Sequence, residues 1–173
     1  MKVLGIDPGT TVTGYGVVTT GDRGGYRLLE CGVIRPSPGA ALPARLSEVH
    51  AELALLLARH APDVVAVEEA FHARNARTTL VLGQARGVIL LAAAQAGAPI
   101  AEYAPSTIKK AVTGRGGAMK PQVGYMVAQL LRLTAPPEPA DAADGVAVAL
   151  THLLQGARRV PAVTLAFPRR SAR

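Results

Sequence analysis

Five acidic side chains stand where a globular chain has little structural use for them. Asp7 closes the apolar run Val3-Leu4-Gly5-Ile6, Glu68 and Glu69 end the β-branched run in "PDVVAVEEAF", and Asp141 and Asp144 open the almost wholly apolar stretch "DAADGVAVALTHLL". Converging carboxylates in a mostly apolar core repel one another unless some are protonated or a cation is shared. Hard divalent ions such as Mg²⁺ bind carboxylate oxygens and keep waters, leaving room for a phosphate. Two such ions held by a few carboxylates can activate a water and stabilise the leaving oxygen in phosphodiester hydrolysis.

Spacing limits which acids can meet. Glu68 and Glu69 are consecutive on a strand and point to opposite faces, so only one can join Asp7, and periodicity does not choose between them. Asp141 and Asp144 are three apart at the start of a helix and project from one face, about 5–6 Å apart at Cβ. An acid in a first helical turn also caps free N–H groups and complements the helix dipole, so Asp141 has two possible uses.

The elements that must position these acids read as an α/β chain. "KVLGID", "TGYGVVTT" and "YRLLECGVIR" are short apolar or alternating runs separated by turn residues, which predicts three consecutive antiparallel strands. "LPARLSEVHAELALLLARH" spaces Leu42, Leu46, Val49, Leu53, Leu56 and Leu57 as an amphipathic helix, and "PDVVAVEEAF" follows as a buried strand. From Asn75 to Ala96 a second helix is expected, with Leu80, Gly83, Gly87, Leu91 and Ala94 along the face that lies on the sheet. "APIAEY" is a fifth strand, and "PSTIKKAVTG" a short helix stopped by Gly114. The glycine-rich loop "GRGGAMKP" leads into the helix "QVGYMVAQLLRL", and "DAADGVAVALTHLL" is the last helix.

Together these predict one five-stranded mixed sheet, three antiparallel strands and then two parallel, with helices on its faces. A crossover through the first helix lays the fourth strand parallel beside the first. Asp7 and the acids of "VEEAF" then meet at the carboxyl ends of neighbouring strands, where open α/β sheets place their sites.

The chain has length for one domain, expected over 1–156, followed by a basic tail at 157–173 with little periodicity. Its net charge of +7 is unevenly spread: −2 over residues 1–69, +7 over 70–132, −3 over 133–156 and +5 over 157–173. A basic middle beside an acidic site suits a polyanionic ligand, although a solvated basic surface gives the same count. Cys31 alone cannot form an internal disulfide, and no charged-then-apolar leader precedes the first strand, so a cytoplasmic protein is expected. The longest charge-free run, Gly87 to Ala101, is shorter than the roughly 20 residues of a membrane-spanning helix. Neither a Ser-His-Asp constellation nor a phosphate-binding loop of the ATPase type is present.

"GIDPGTTVTGYGVV", "VAVEEAF", "LGQARGV" and "ADAADGVAVALTH", in this order and spacing, closely resemble the RuvC family of Holliday junction resolvases over roughly Val3 to His152. The resemblance implies an RNase H-like fold and a homodimer that nicks two opposed strands of four-way junction DNA. It matches the family's second carboxylate to Glu68, so the metal-binding set it implies is Asp7, Glu68, Asp141 and Asp144, holding two Mg²⁺ ions or Mn²⁺ in their place. It further implies work with the RuvAB branch-migration motor.

The same resemblance makes Phe71 an aromatic that stacks on a base near the junction centre, and places Lys109 and Lys120 close to the scissile strand. Lys120 is counted with the catalytic set. Arg74, Asn75, Arg77, Lys110 and Arg115 are expected to meet phosphates. Arg86 is either a phosphate contact or a helix-to-sheet ion partner, and His152 is expected to cap the last helix. An RNase H-like nuclease acting on RNA or RNA–DNA hybrids is the alternative. "DPGT" also resembles the first phosphate turn of actin-like ATPases, but those use two copies of the fold and no second such turn is found.

Overall fold

A computed structural model of the chain describes residues 1–9, 11–21, 24–69 and 76–156. Phe71, Arg74, Asn75 and the tail 157–173 lie outside the described residues. Strand β1 (Lys2–Asp7) pairs antiparallel with β2 (Thr13–Thr20), and β2 with β3 (Tyr26–Ile34). Helix α1 (Leu42–His60) carries the chain to β4 (Val64–Glu68), which lies parallel to β1. Helix α2 (Ala76–Gln95) leads to β5 (Ile100–Tyr103), parallel to β4. Three helices follow, α3 (Pro105–Thr113), α4 (Lys120–Leu131) and α5 (Ala140–Leu154). The sheet order is β3-β2-β1-β4-β5, as the sequence predicts.

Side-chain alternation sorts the strands onto two cores. Leu4, Ile6, Val65 and Val67 pack against Val49 and Leu53 of α1 and Ile89 and Ala92 of α2. Val3, Ala66 and Ala101 pack on the other face against Ile108 of α3, Val127 of α4 and Val146 and Leu150 of α5. Asp7 follows Val3 and Gly5 onto the α5 face. Glu68 follows Ala66 onto that same face, which sends Glu69 to the other side and decides between the two.

Helix α5 is the central element of its layer, with ten of its fifteen residues buried. It lies unusually close to the strands beneath it. A Cβ on Gly5 would come within 2.3 Å of the Gly145 carbonyl oxygen, and one on Gly16 within 2.7 Å of the Val146 Cα. Glycine is required at these strand positions so that the helix backbone can rest directly on the sheet.

Three sequence expectations need correction. In α2, Leu80, Gly83, Gly87 and Leu91 do not face the sheet: Leu80 is 65% and Leu91 46% exposed, and a Cβ at either glycine meets nothing within 4 Å. Ile89, Ala92 and Ala93 form the buried face instead, joined by Ala94 as expected. By length and composition α2 could also cross a membrane, but this inner face is packed into the core. Lys120 and Pro121 do not end a loop; they form the first turn of α4, where Pro's fixed φ and missing N–H cost nothing. His152 does not cap α5: the hydroxyl of Tyr103 lies 2.7 Å from its Nδ1, joining α5 to β5.

Candidate active site

The site forms where four elements end. Strands β1 and β4 deliver Asp7 and Glu68 at their carboxyl ends, one strand apart. Helix α5 delivers Asp141 and Asp144 from its first turn and a half; its N-cap is Pro139, and no side chain caps it. The acids there are therefore not consumed as caps, while the unpaired N–H groups of the helix start favour negative charge beside them. Carboxylate oxygens of Asp7, Asp141 and Asp144 lie within 4.8 Å of one another.

Lys120, first residue of α4, reaches across to Asp144, with Nζ 2.6 Å from Oδ2. The start of α4 is fixed by Gln122, whose Oε1 accepts the Met119 N–H at 2.9 Å. Helix α3 begins with Pro105, one residue past β5, and is capped by Gly114, whose φ of 77° closes the helix in the left-handed region. That short helix sets Lys109 at the edge of the same cleft. Asp7, Glu68, Lys109, Lys120 and Asp144 line a cavity of about 230 Å³, with Ile108 and Val123 among its apolar walls. The sequence analysis does not single out Ile108 or Val123; as apolar residues within expected helices they carry no local sign that ties them to the site.

Electrostatics in this cleft are strained. Burial pushes the Asp7 carboxyl up from 3.8 to about 8, the negative charges of Glu68 and Asp144 add to the rise, and Lys120 opposes it. Burial likewise raises Glu68, with Asp144 adding to the rise, while a hydrogen bond from Asp7 and the charges of Lys120 and Lys109 restrain it. Asp7 and Glu68 thus share a proton near neutrality. The hydrogen bond to Asp144 raises Lys120, which stays an ammonium.

This donor set fits a hard cation. Among the described residues every ligand offered is a carboxylate oxygen, and an acid held protonated by burial and by its neighbours' charge is relieved when a cation arrives.

Other expected contacts stand apart. Arg77 is exposed in the first turn of α2, Lys110 is exposed on α3, and Arg115 is exposed in the loop after it. Arg86 is a helix-to-sheet ion partner: its guanidinium pairs with Glu102 of β5, on the α1 and α2 side of the sheet.

A mixed β3-β2-β1-β4-β5 sheet, with acids at the ends of its two central strands and on a helix crossing them, defines a nuclease of the RNase H-like class. The family model described as crossover junction endodeoxyribonuclease RuvC matches residues 3–152. A relative of that name from Acidobacterium capsulatum is 55% identical over 159 residues, covering 88% of this chain and 93% of the relative. The solved RuvC structure of Thermus thermophilus matches with a TM-score of 0.82 at 40% identity, over 89% of this chain and 94% of that one. T. thermophilus RuvC in complex with a Holliday junction substrate matches with a TM-score of 0.80 at 38% identity, over the same shares. The chain belongs to the RuvC family of crossover junction endodeoxyribonucleases.

Proposed function

We propose that this chain resolves Holliday junctions in recombination and DNA repair, nicking two opposed strands of the four-way junction at symmetric positions. The observation that carries this is the convergence of Asp7, Asp141 and Asp144 oxygens within 4.8 Å, with Glu68 beside Asp7, in a chain of the RuvC family. Asp7, Glu68, Asp141 and Asp144 would hold two Mg²⁺ ions, or Mn²⁺ in their place. When bound, such ions activate a water for attack on phosphorus and stabilise the departing oxygen.

The chain's own side chains do the rest. Lys109 and Lys120 hold the scissile phosphate by charge at the mouth of the cleft. Ile108 and Val123 keep one wall of it dry, which strengthens each charge interaction inside. Asp7 gives up its proton as the acids fill with cations. Arg77, Lys110 and Arg115, with Arg74 and Asn75, grip flanking phosphates, and Phe71 stacks on a base at the junction centre. Phosphate contacts orient the protein on the DNA without reading sequence.

Two symmetric nicks need two such sites, and we assign the exposed stripe Leu80, Gly83, Gly87 and Leu91 of α2 to a homodimer interface. Small residues between two leucines let a second helix approach closely, and an isologous contact buries the same stripe on both copies. The dimer works in the bacterial cytoplasm with the RuvAB motor.

Synthetic four-way junctions, matched linear duplexes and RNA–DNA hybrids test this with wild-type and Asp7→Asn protein, in Mg²⁺ or in EDTA. Paired nicks in junctions alone, abolished by EDTA and by the substitution while junction binding persists, are expected. Cutting of hybrids, or junctions bound but left whole in both Mg²⁺ and Mn²⁺, overturns the assignment.

A further inference from the structure

We infer that Gly14 is a positioning residue for the acids: the absence of a side chain there sets how closely the first turn of α5 approaches the sheet, and so the distance of Asp141 and Asp144 from Asp7. The inference rests on those acids being cation ligands.

Gly14 touches the site from two directions. In the β1–β2 ladder it is the residue opposite Asp7. Above the sheet it lies under the backbone of Asp141: a Cβ on Gly14 would fall 1.8 Å from the Asp141 carbonyl oxygen and 2.6 Å from its carbonyl carbon. The next strand residue repeats the contact one turn along the helix. A Cβ on Gly145 would fall 2.5 Å from the Cα of Tyr15. Backbone thus meets backbone on both sides of Asp144, and neither side has a flexible end that could yield.

These contacts are tighter than packing needs. The core beneath α5 is already filled by Val146, Leu150 and their neighbours, and Gly14 adds no apolar surface to it. What it adds is proximity. A methyl group at position 14 forces the start of α5 away by on the order of 1 Å, and a misplacement of that size can cost roughly 100-fold in rate. Asp7 does not move with the helix, because it belongs to β1. The oxygens that now lie within 4.8 Å of one another therefore separate along a single direction.

Full-length Gly14→Ala, Asp141→Glu and the double variant test this by Mn²⁺ titration calorimetry in the absence of DNA, with single-turnover junction cleavage beside it. Gly14→Ala is expected to fold, to bind junctions in EDTA within about threefold of wild type, to bind Mn²⁺ at least tenfold more weakly and to cut about 100-fold more slowly. Asp141→Glu, one methylene longer, is expected to weaken Mn²⁺ binding in the wild-type background and to strengthen it in Gly14→Ala. A merely structural glycine produces no such change of sign. Unchanged Mn²⁺ affinity in folded Gly14→Ala, or a glutamate that weakens binding equally in both backgrounds, overturns the inference. If Gly14→Ala does not fold, Gly145→Ala is measured for Mn²⁺ affinity and rate: a folded variant with both reduced supports the inference, while one with both unchanged, or loss of fold here too, overturns it. Should wild type bind Mn²⁺ yet leave junctions whole, the substrate assignment fails and the geometric inference stands.

Discussion

Lys120 Nζ lies 2.6 Å from Asp144 Oδ2, so the first residue of α4 is tied to the second acid of α5 across the mouth of the cleft. The lysine is 66% exposed and the aspartate 17%, which leaves the ammonium open to an incoming phosphate.

A pair whose lysine is this open to water contributes little to stability, on the order of 1 kcal/mol. Replacing Lys120 by Met is therefore expected to shift the melting temperature by at most a few degrees while lowering the single-turnover cleavage rate about 100-fold, the scale of a lost charge contact to a transition state. Thermal melts and quenched-flow cleavage on one preparation separate the two effects. A rate within threefold of wild type removes Lys120 from the machinery.

The Asp7 carboxyl, raised by burial and by the charges of Glu68 and Asp144 to about 8 in the folded chain against an ordinary 3.8, makes the protein in EDTA less stable as pH rises. Between those values the unfolded chain has lost a proton that the native state keeps, so unfolding gains with each step of pH; below the lower value and above the upper one the contribution is flat. Asp7→Asn is expected to remove much of that slope and to melt several degrees higher than wild type in EDTA at pH 7.5. Melting curves from pH 4 to 9 check both, and a variant that melts lower at neutral pH contradicts the raised carboxyl.

Cation binding should reverse the penalty. Anything that binds only the native state stabilises it, by about 2.7 kcal/mol at a concentration 100 times its dissociation constant. Wild type is expected to melt several degrees higher in millimolar Mg²⁺ or Mn²⁺ than in EDTA, whereas Asp144→Asn gains much less. Equal gains in both proteins place the cation elsewhere.

Leu80 is 65% exposed, so Leu80→Glu costs the monomer little. If the α2 stripe joins two copies, it nonetheless buries two like charges, one from each copy, at a symmetric contact. Sedimentation is expected to show dimers for wild type and monomers for the variant, with melting of the variant at low protein concentration near that of wild type. A variant that stays dimeric moves the interface off this face.

The strands, helices and four acids were legible because each rests on a local signal: alternating or β-branched runs, helical spacing, and charge where apolar neighbours make it costly. The choice between Glu68 and Glu69 was not, since neighbours on a strand differ only in the face they take, and the sheet has to be assembled before a face means inside. The buried side of α2 was misread for a related reason. That helix is apolar around much of its circumference, so Leu80, Gly83 and Gly87 at helical spacing fit either side equally well. Lys120 was placed in a loop because glycines and a proline surround it, yet proline in a first turn marks a helix start as readily as a break. Gly14 gave no local sign at all, because what makes it matter is the backbone of Asp141, far away in sequence.

Ten of the fifteen residues of α5 are buried, and two of the remaining five are Asp141 and Asp144. The element that completes the core is thus the element that completes the proposed active site. Mutational drift along α5 is constrained twice, once by the sheet it covers and once by the carboxylates it presents. A lineage carrying this fold can readily silence its chemistry with one substitution, but it cannot relocate it without rebuilding the centre of the molecule.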